Sequence, residues 1–241
     1  MAGHSKWHNI KYKKELKDAQ RAKIFGKFSR MIMVAAREGG PDPEKNEKLR
    51  AAIEKAREFN MPKENIERAI KRGTGEIEGR QIESLLLEGF APGGVGVLVE
   101  VLTDNKNRSV AEIRKLFEKE GGKLAGGSVK WMFQKKGRIS VSLNENQKSR
   151  DEIFLLAVDL GAEDVKEKEN EIEIFTPPEK LIEIKNSLEK KGIKISDFGL
   201  DFVPKEEIEI KEEGLRQKLK NFFSLLDERD DVQDIFSNAL L

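Results

Sequence analysis

No cysteine occurs among the 241 residues, which excludes disulfides, thiolate metal centres and thiol nucleophiles and is compatible with a reducing compartment. Histidine is almost as scarce. The two that exist, His4 and His8, are four residues apart, but two imidazoles leave a zinc site short of ligands, and Gly3 and Ser5 disfavour a helix there. No metal is therefore expected. Long apolar runs are also missing: the N-terminus has no core of signal-peptide length, and no stretch approaches the ~20 residues that a membrane helix needs. The expectation is a soluble, cytoplasmic protein that does not contact a membrane. Without a Ser-His-acid set, a thiol or a ligand cluster, no enzymatic activity, cofactor or small-molecule substrate is expected either.

What the chain has in abundance is charge. Lys, Arg, Asp and Glu make up 37% of the residues, while aromatic residues make up only 7%. The formal net charge of +1 conceals a strong polarity along the sequence. Residues 1–80 carry a net +8, residues 81–140 a net +3 and residues 141–241 a net −10. Up to residue 30 there are nine cations, Lys6, Lys11, Lys13, Lys14, Lys17, Arg21, Lys23, Lys27 and Arg30, against the two acids Glu15 and Asp18. Such an end seeks polyanions. Trp7, His8 and Tyr12 lie among these cations, and flat rings beside positive charge suit a surface that holds phosphates and stacks on exposed bases. His4, Trp7 and His8 either contact nucleic acid or fold the arm onto the helices behind it. A solvated basic tail is the plainer reading of the same residues.

The spacing of apolar residues predicts one long helix from about residue 12 to 38, with Ile24, Phe25, Phe28, Met31, Ile32, Ala35 and Ala36 on one face. Lys23, Lys27, Arg30 and Arg37 are expected on the opposite, exposed side. Gly39-Gly40-Pro41 ends this helix. A second helix is marked by Leu49, Ala52, Ile53, Ala56 and Phe59, and a third by Ile66, Ala69 and Ile70, stopping at Gly73. Two strands follow, 85–90 and 95–102, joined by Ala91-Pro92-Gly93-Gly94 as a hairpin turn. Ser109 and Glu112 suggest a capping box for a helix over 110–120, and a further strand is expected at 129–133.

From 138 to about 203 the order strand, helix, strand, strand, helix, strand is that of a ferredoxin-like βαββαβ module. The remainder, a strand, a helix and a strand, is too short to fold alone and must complete the earlier sheet. The expected class is α+β, with a three-helix domain followed by two αβ domains, the ferredoxin-like one inserted in the other. The expected boundaries are 1–78 for the basic helical domain and its arm, 79–136 with 205–241 for the discontinuous αβ domain, and 137–204 for the insertion.

Two glycine-rich stretches invite comparison with nucleotide-binding loops. Gly93-Gly94-Val95-Gly96 lies between strands and opens no helix, and Gly121-Gly122 to Gly126-Gly127 lacks the Lys-Ser/Thr of a P-loop, so both read as turns. The segment Asp104-Asn105-Lys106-Asn107-Arg108 leads from a strand into a helix N-terminus, where backbone N–H groups attract anions. Lys106 and Arg108 there are either phosphate contacts or parts of an Asx-rich cap.

A set of short motifs spread along the chain resembles the YebC/PmpR family: Ala2-Gly3-His4-Ser5-Lys6-Trp7, Asn9-Ile10-Lys11, Lys23-Ile24-Phe25 and Ala35-Ala36-Arg37. They continue through Asn60-Met61-Pro62-Lys63, Asn65-Ile66-Glu67-Arg68-Ala69-Ile70, Gly73-Thr74-Gly75, Pro92-Gly93-Gly94-Val95, Thr103-Asp104-Asn105 and Asp230-Asp231-Val232-Gln233. Ala125-Gly126-Gly127-Ser128-Val129 departs from the family pattern, which usually has an acid before Gly-Ser-Val. The resemblance implies a three-domain α-plus-αβ architecture and a DNA-binding transcriptional regulator. Family members are also similar to translation factors, including a mitochondrial translational activator, which makes rRNA in the ribosome the alternative partner. Lys6, Trp7, Lys11, Tyr12, Lys13, Lys14, Lys17, Arg21, Lys23, Lys27, Arg30, Lys106 and Arg108 are the candidate nucleic-acid contacts. The oligomeric state is not legible.

Overall fold

A computed structural model of the chain describes residues 18–79, 81–168 and 170–241. Three helices precede sheet-bearing parts, the α+β arrangement that the sequence predicts. Helix α1, Asp18–Gly39, buries Ile24, Phe28, Ile32, Ala35 and Ala36 against α2, Glu47–Glu58, and α3, Lys63–Thr74. The expected beginning of α1, near residue 12, lies outside the described residues. Asn46 joins the first two helices. Its side-chain oxygen accepts the Leu49 N–H at 3.0 Å, capping α2, while its amide donates to Ala35 O at 2.8 Å and Gly40 O at 2.9 Å. One buried side chain thus satisfies the end of one helix and the start of the next. The third helix continues through Gly73, the expected stop, and ends at Gly75 in the left-handed conformation (φ 81°).

Behind the helices, β1 (Glu83–Phe90) and β2 (Gly96–Thr103) pair antiparallel over their whole length. Helix α4, Lys106–Glu120, follows, and a two-residue strand, β3 (Lys123–Leu124), pairs with the end of β1. The chain then leaves for the inserted unit. It returns as β8 (Ile208–Glu209), α7 (Glu213–Asp227), β9 (Val232–Ser237) and β10 (Ala239–Leu240). The sheet order is β3-β1-β2-β9, so the C-terminal tail supplies an edge strand and the second covering helix. Val97, Val99 and Val101 face Ile113 and Phe117 of α4 and Leu219, Phe222 and Leu226 of α7 in one core. The Phe117 and Phe222 rings meet edge to face at 4.9 Å.

Residues 133–205 form the second compact unit, and the rest of the chain the first. In it β4 (Phe133–Ser142), α5 (Arg150–Asp159), β5 (Asp164–Glu167), β6 (Glu171–Thr176), α6 (Leu181–Lys190) and β7 (Asp197–Pro204) follow one another. The strands order as β5-β6-β4-β7 with every ladder antiparallel, which is ferredoxin-like. Strand alternation puts Ile139 and Val141 on one face of β4 and Arg138 and Ser140 on the other. Ser149 and Glu152 form a reciprocal capping box at the start of α5.

Two local expectations are corrected. Residues 130–132 are a 3₁₀ turn and no strand, because the pairing partner of β1 is the earlier β3 and the strand that begins at Phe133 belongs to the inserted unit. The cap of α4 is Asn105, whose side chain accepts the Arg108 N–H at 3.1 Å, so the helix starts at Lys106 and the Ser109–Glu112 pair lies inside it. Ser109 is 2% exposed and has a different task, described below.

Gly73 lets α3 lie close against α1: a Cβ there would stand 2.4 Å from Met33 O. Alanine normally gains about 1 kcal/mol over glycine inside a helix. Overpacking against a backbone oxygen costs about 1–3 kcal/mol, so the sign reverses. Gly73→Ala should lower stability by ~1 kcal/mol or more, measured as a fall in the urea midpoint. An increase would show that the bundle yields at this contact.

Candidate nucleic-acid interface

The thirteen cations and rings singled out in the sequence separate into three groups. Lys6, Trp7, Lys11, Tyr12, Lys13, Lys14 and Lys17 lie outside the described residues. Arg21 is exposed on α1, Lys23 is half-buried one turn before Lys27, and Lys106 is exposed on the first turn of α4. The remaining three, Lys27, Arg30 and Arg108, are drawn into contacts with acidic residues of the chain itself.

Lys27 is the clearest correction. Expected on the exposed side, it is 2% exposed, with Nζ 3.2 Å from Asp227 Oδ1 and donating to Asp227 O at 3.2 Å. The helical wheel explains this: Lys27 follows one turn after Lys23 at the rim of the apolar stripe, and the end of α7 covers that rim. Burial pulls its pKa below the ordinary lysine value, and the charge and hydrogen bond of Asp227 oppose the shift without cancelling it. Arg30, one turn on, donates to Asp230 O at 2.5 Å and lies 3.6 Å from Asp231 Oδ1.

Asp231 also reaches the start of α4. Its Oδ2 accepts from Ser109 Oγ at 2.5 Å and from Arg108 Nη2 at 3.1 Å, and Thr103 Oγ1 lies 3.2 Å away. Arg108 bridges in turn to Asp104 Oδ1 at 2.9 Å. Hydrogen bonds and charge from Asp231, and then Asp104, outweigh desolvation and hold the Arg108 pKa above its ordinary value. A cleft of about 370 Å³ runs between these groups, lined by Arg30, Arg108, Glu112, Arg229, Asp230 and Asp231. Its guanidinium groups face carboxylates, Arg229 being paired with Glu112. Its polar side chains tie α1, β2, α4 and the α7–β9 junction together.

Cations without such partners lie elsewhere on the helical part. Arg68, Lys71 and Arg72 stand at i, i+3 and i+4 on the last turns of α3, all exposed and, among the described residues, none in an ion pair. Among the described residues, the ion pair that this helix makes, Lys63 to Glu67 at 3.6 Å, is confined to its first turns. A helix C-terminus carries a partial negative charge that favours positive side chains, which accounts for their presence. Arg37 of α1, exposed, donates to Ile82 O beside them. A cleft of about 330 Å³ follows, lined by Met33, Arg37, Arg72, Thr74, Gly75 and Ile77. This face is not among the candidates that the sequence motifs point to. Its signal is the segregation of charge along Glu64-Asn65-Ile66-Glu67-Arg68-Ala69-Ile70-Lys71-Arg72, acidic first and basic last. Among the described residues no group of three or more His, Asp or Glu is placed to hold a metal, and no helix is long and apolar enough to cross a membrane.

Comparison with known proteins gives one consistent result. Residues 5–76 match the model of the TACO1/YebC protein N-terminal domain, and residues 82–239 match that of the TACO1/YebC second and third domain. A protein of Halothermothrix orenii named "probable transcriptional regulatory protein" is 48% identical over 99% of this chain and 94% of its own. One of Thermotoga maritima with the same name is 49% identical over 99% and 93%. The crystal structure of a conserved hypothetical protein from Aquifex aeolicus superposes with a TM-score of 0.86 at 46% identity, covering 94% of both chains.

The buried pair yields a stability test. Asp227→Ala removes the carboxylate beside a buried ammonium and should cost about 3 kcal/mol, whereas Lys27→Met with Asp227→Leu should cost far less. The folded state binds the Lys27 proton less tightly than the unfolded chain does. Stability should therefore rise with pH between the lowered value and the ordinary 10.5, and Lys27→Met should abolish that rise. Urea unfolding at several pH values measures both effects.

Proposed function

The chain belongs to the TACO1/YebC family, and we propose that it is a non-enzymatic regulatory protein of the cytoplasm that binds nucleic acid, in the first place a DNA-binding transcriptional regulator. The observation that carries this reading is the contrast between two sets of cations. Lys27, Arg30 and Arg108 are committed to carboxylates of the same chain, whereas Arg68, Lys71 and Arg72 are not. Unpaired, exposed guanidinium and ammonium groups in a row are what a phosphate backbone requires, since each neutralised phosphate releases condensed counterions. The basic arm at residues 6–17 adds five lysines toward the same end of the sequence, and Trp7 and Tyr12 within it can stack on accessible bases. The relatives' name as transcriptional regulatory proteins supports duplex DNA as the first partner.

Phosphate contacts orient a protein on nucleic acid without reading its sugar. The same surface would serve an rRNA site, and the family's mitochondrial translational activators give that reading its place. Cosedimentation with ribosomes before and after nuclease treatment, beside promoter-fragment binding at matched salt, separates the two.

Two sets of substitutions test the proposal itself. Lys11, Lys13, Lys14 and Lys17 changed together to Gln should weaken binding and reduce the slope of log K against log salt by up to about 3–4 units, and Arg68, Lys71 and Arg72 changed to Gln by up to about 3. Unchanged affinity and slope in both sets would overturn the role given to these cations.

A further inference from the structure

Trp131 is the most solvent-exposed large apolar side chain among the described residues, at 68%. Tryptophan ordinarily covers itself, and when it stays at a surface the usual reason is an indole N–H that needs water. Here that reason is absent: Nε1 donates to Ser128 O at 2.9 Å, within its own turn. The ring is left out of the core although its polar edge is already satisfied inside the protein.

The turn that carries it is firmly held. Val129, adjacent in sequence, is 0% exposed and serves as its apolar anchor. Glu88 of β1 reaches across and accepts the backbone N–H groups of Val129 at 2.9 Å and Lys130 at 2.7 Å through one carboxylate oxygen. Ala125 N–H donates to Glu88 O at 2.9 Å, and Met132 N–H to Val129 O at 2.9 Å. Burial pushes the Glu88 carboxyl up, but the N–H bonds from Lys130, Val129 and Gly127 prevail and hold its pKa below the ordinary value, so the clasp is an ionised one at neutral pH. Lys130 and Lys123 on either side of the loop are exposed, and the intervening Gly126 and Gly127 leave open space around the backbone.

We propose that Trp131, presented by the Glu88-clasped turn and flanked by Lys130 and Lys123, is a stacking platform for an unpaired base of single-stranded or looped nucleic acid. The inference rests on the nucleic-acid reading above and adds to it a contact that phosphate neutralisation does not supply. Every base offers a π-face, so a fixed ring accepts it without sequence preference, and neighbouring ammonium groups hold the adjoining phosphates. A base inside an intact duplex is already stacked and cannot use the platform. The partner it fits is therefore melted DNA or an RNA loop, which share this chemistry.

The test uses the full chain carrying Trp7→Phe, which leaves Trp131 as its only tryptophan. Titration with a mixed-sequence 20-nucleotide DNA strand, the same strand as RNA, and its duplex should quench Trp131 fluorescence with the single strands and much less with the duplex. The two single strands compared with each other distinguish melted DNA from RNA as the source. Trp131→Ala should weaken single-strand binding about tenfold or more while leaving the salt slope and the melting temperature unchanged, and Trp131→Phe should restore most of the affinity. If Trp131→Ala binds single strands as tightly as the parent, and quenching is absent, while the arm lysine substitutions still weaken binding, the platform is refuted and the nucleic-acid function stands. If the parent binds none of the three probes, both readings fall together.

Discussion

The first unit depends on the acidic cluster at the C-terminal end of α7, where Asp227, Asp230 and Asp231 meet cations from earlier in the chain. An ammonium at 2% exposure is tolerated only with a carboxylate beside it, because desolvating a lone charge costs more than the helix face around it returns. Lys27 and Asp227 are 200 residues apart, so satisfying one pair closes most of the chain on itself. Asp231 extends the closure. It gathers Arg30, Arg108 and the buried Ser109 hydroxyl around a single carboxylate, and through Ser109 it reaches Thr103 at the end of β2. Helical part, sheet and tail are bound by polar contacts that lie outside either apolar core.

This arrangement changes the meaning of the basic N-terminus. Counted along the sequence, the cations up to Arg30 form one block interrupted by only two acids. In the folded protein the block divides, and its C-terminal members are held by the chain's own acids. The acidic C-terminal third is thus more than a counterweight to a cationic head, since part of it is the structural partner of that head. Among the described residues, Arg68, Lys71 and Arg72 on the last turns of α3 are exposed and take part in no such ion pair.

The inserted unit solves a similar problem differently. Arg138 is 4% exposed on the face of β4 away from the helices, with Nη2 2.8 Å from Asp197 and Nε 3.0 Å from Asp201 on the neighbouring β7. Desolvation alone would favour losing its proton. The two carboxylates outweigh that effect and hold its pKa above the ordinary value, so the pairing is ionic throughout. Since the partners sit on adjacent strands, with Arg138 opposite Gly199 in the ladder, the cluster also marks one register of β4 against β7.

Much of this was legible in one dimension. Helical spacing of Ile24, Phe28 and Ile32, the glycine turns at 93–94 and the βαββαβ order from 138 onward follow from local periodicity and turn chemistry, which neighbouring residues decide among themselves. The need for a C-terminal tail to complete an earlier sheet followed from its size alone. Where the reading failed, long-range contacts had overridden a local pattern. Ser109 and Glu112 have the spacing of a cap, yet Asn105 takes that place and Ser109 turns to a carboxylate 122 residues away. Residues 129–133 have the composition of a strand, yet the clasp from Glu88 and the short β3 leave 130–132 a turn, and only Phe133 enters a strand. What the sequence alone determined was the set of elements and the sum of the charges. Which charges remain free to meet a partner was decided only by the tertiary structure, because pairing energy depends on distance and desolvation, and neither is encoded by position along the chain.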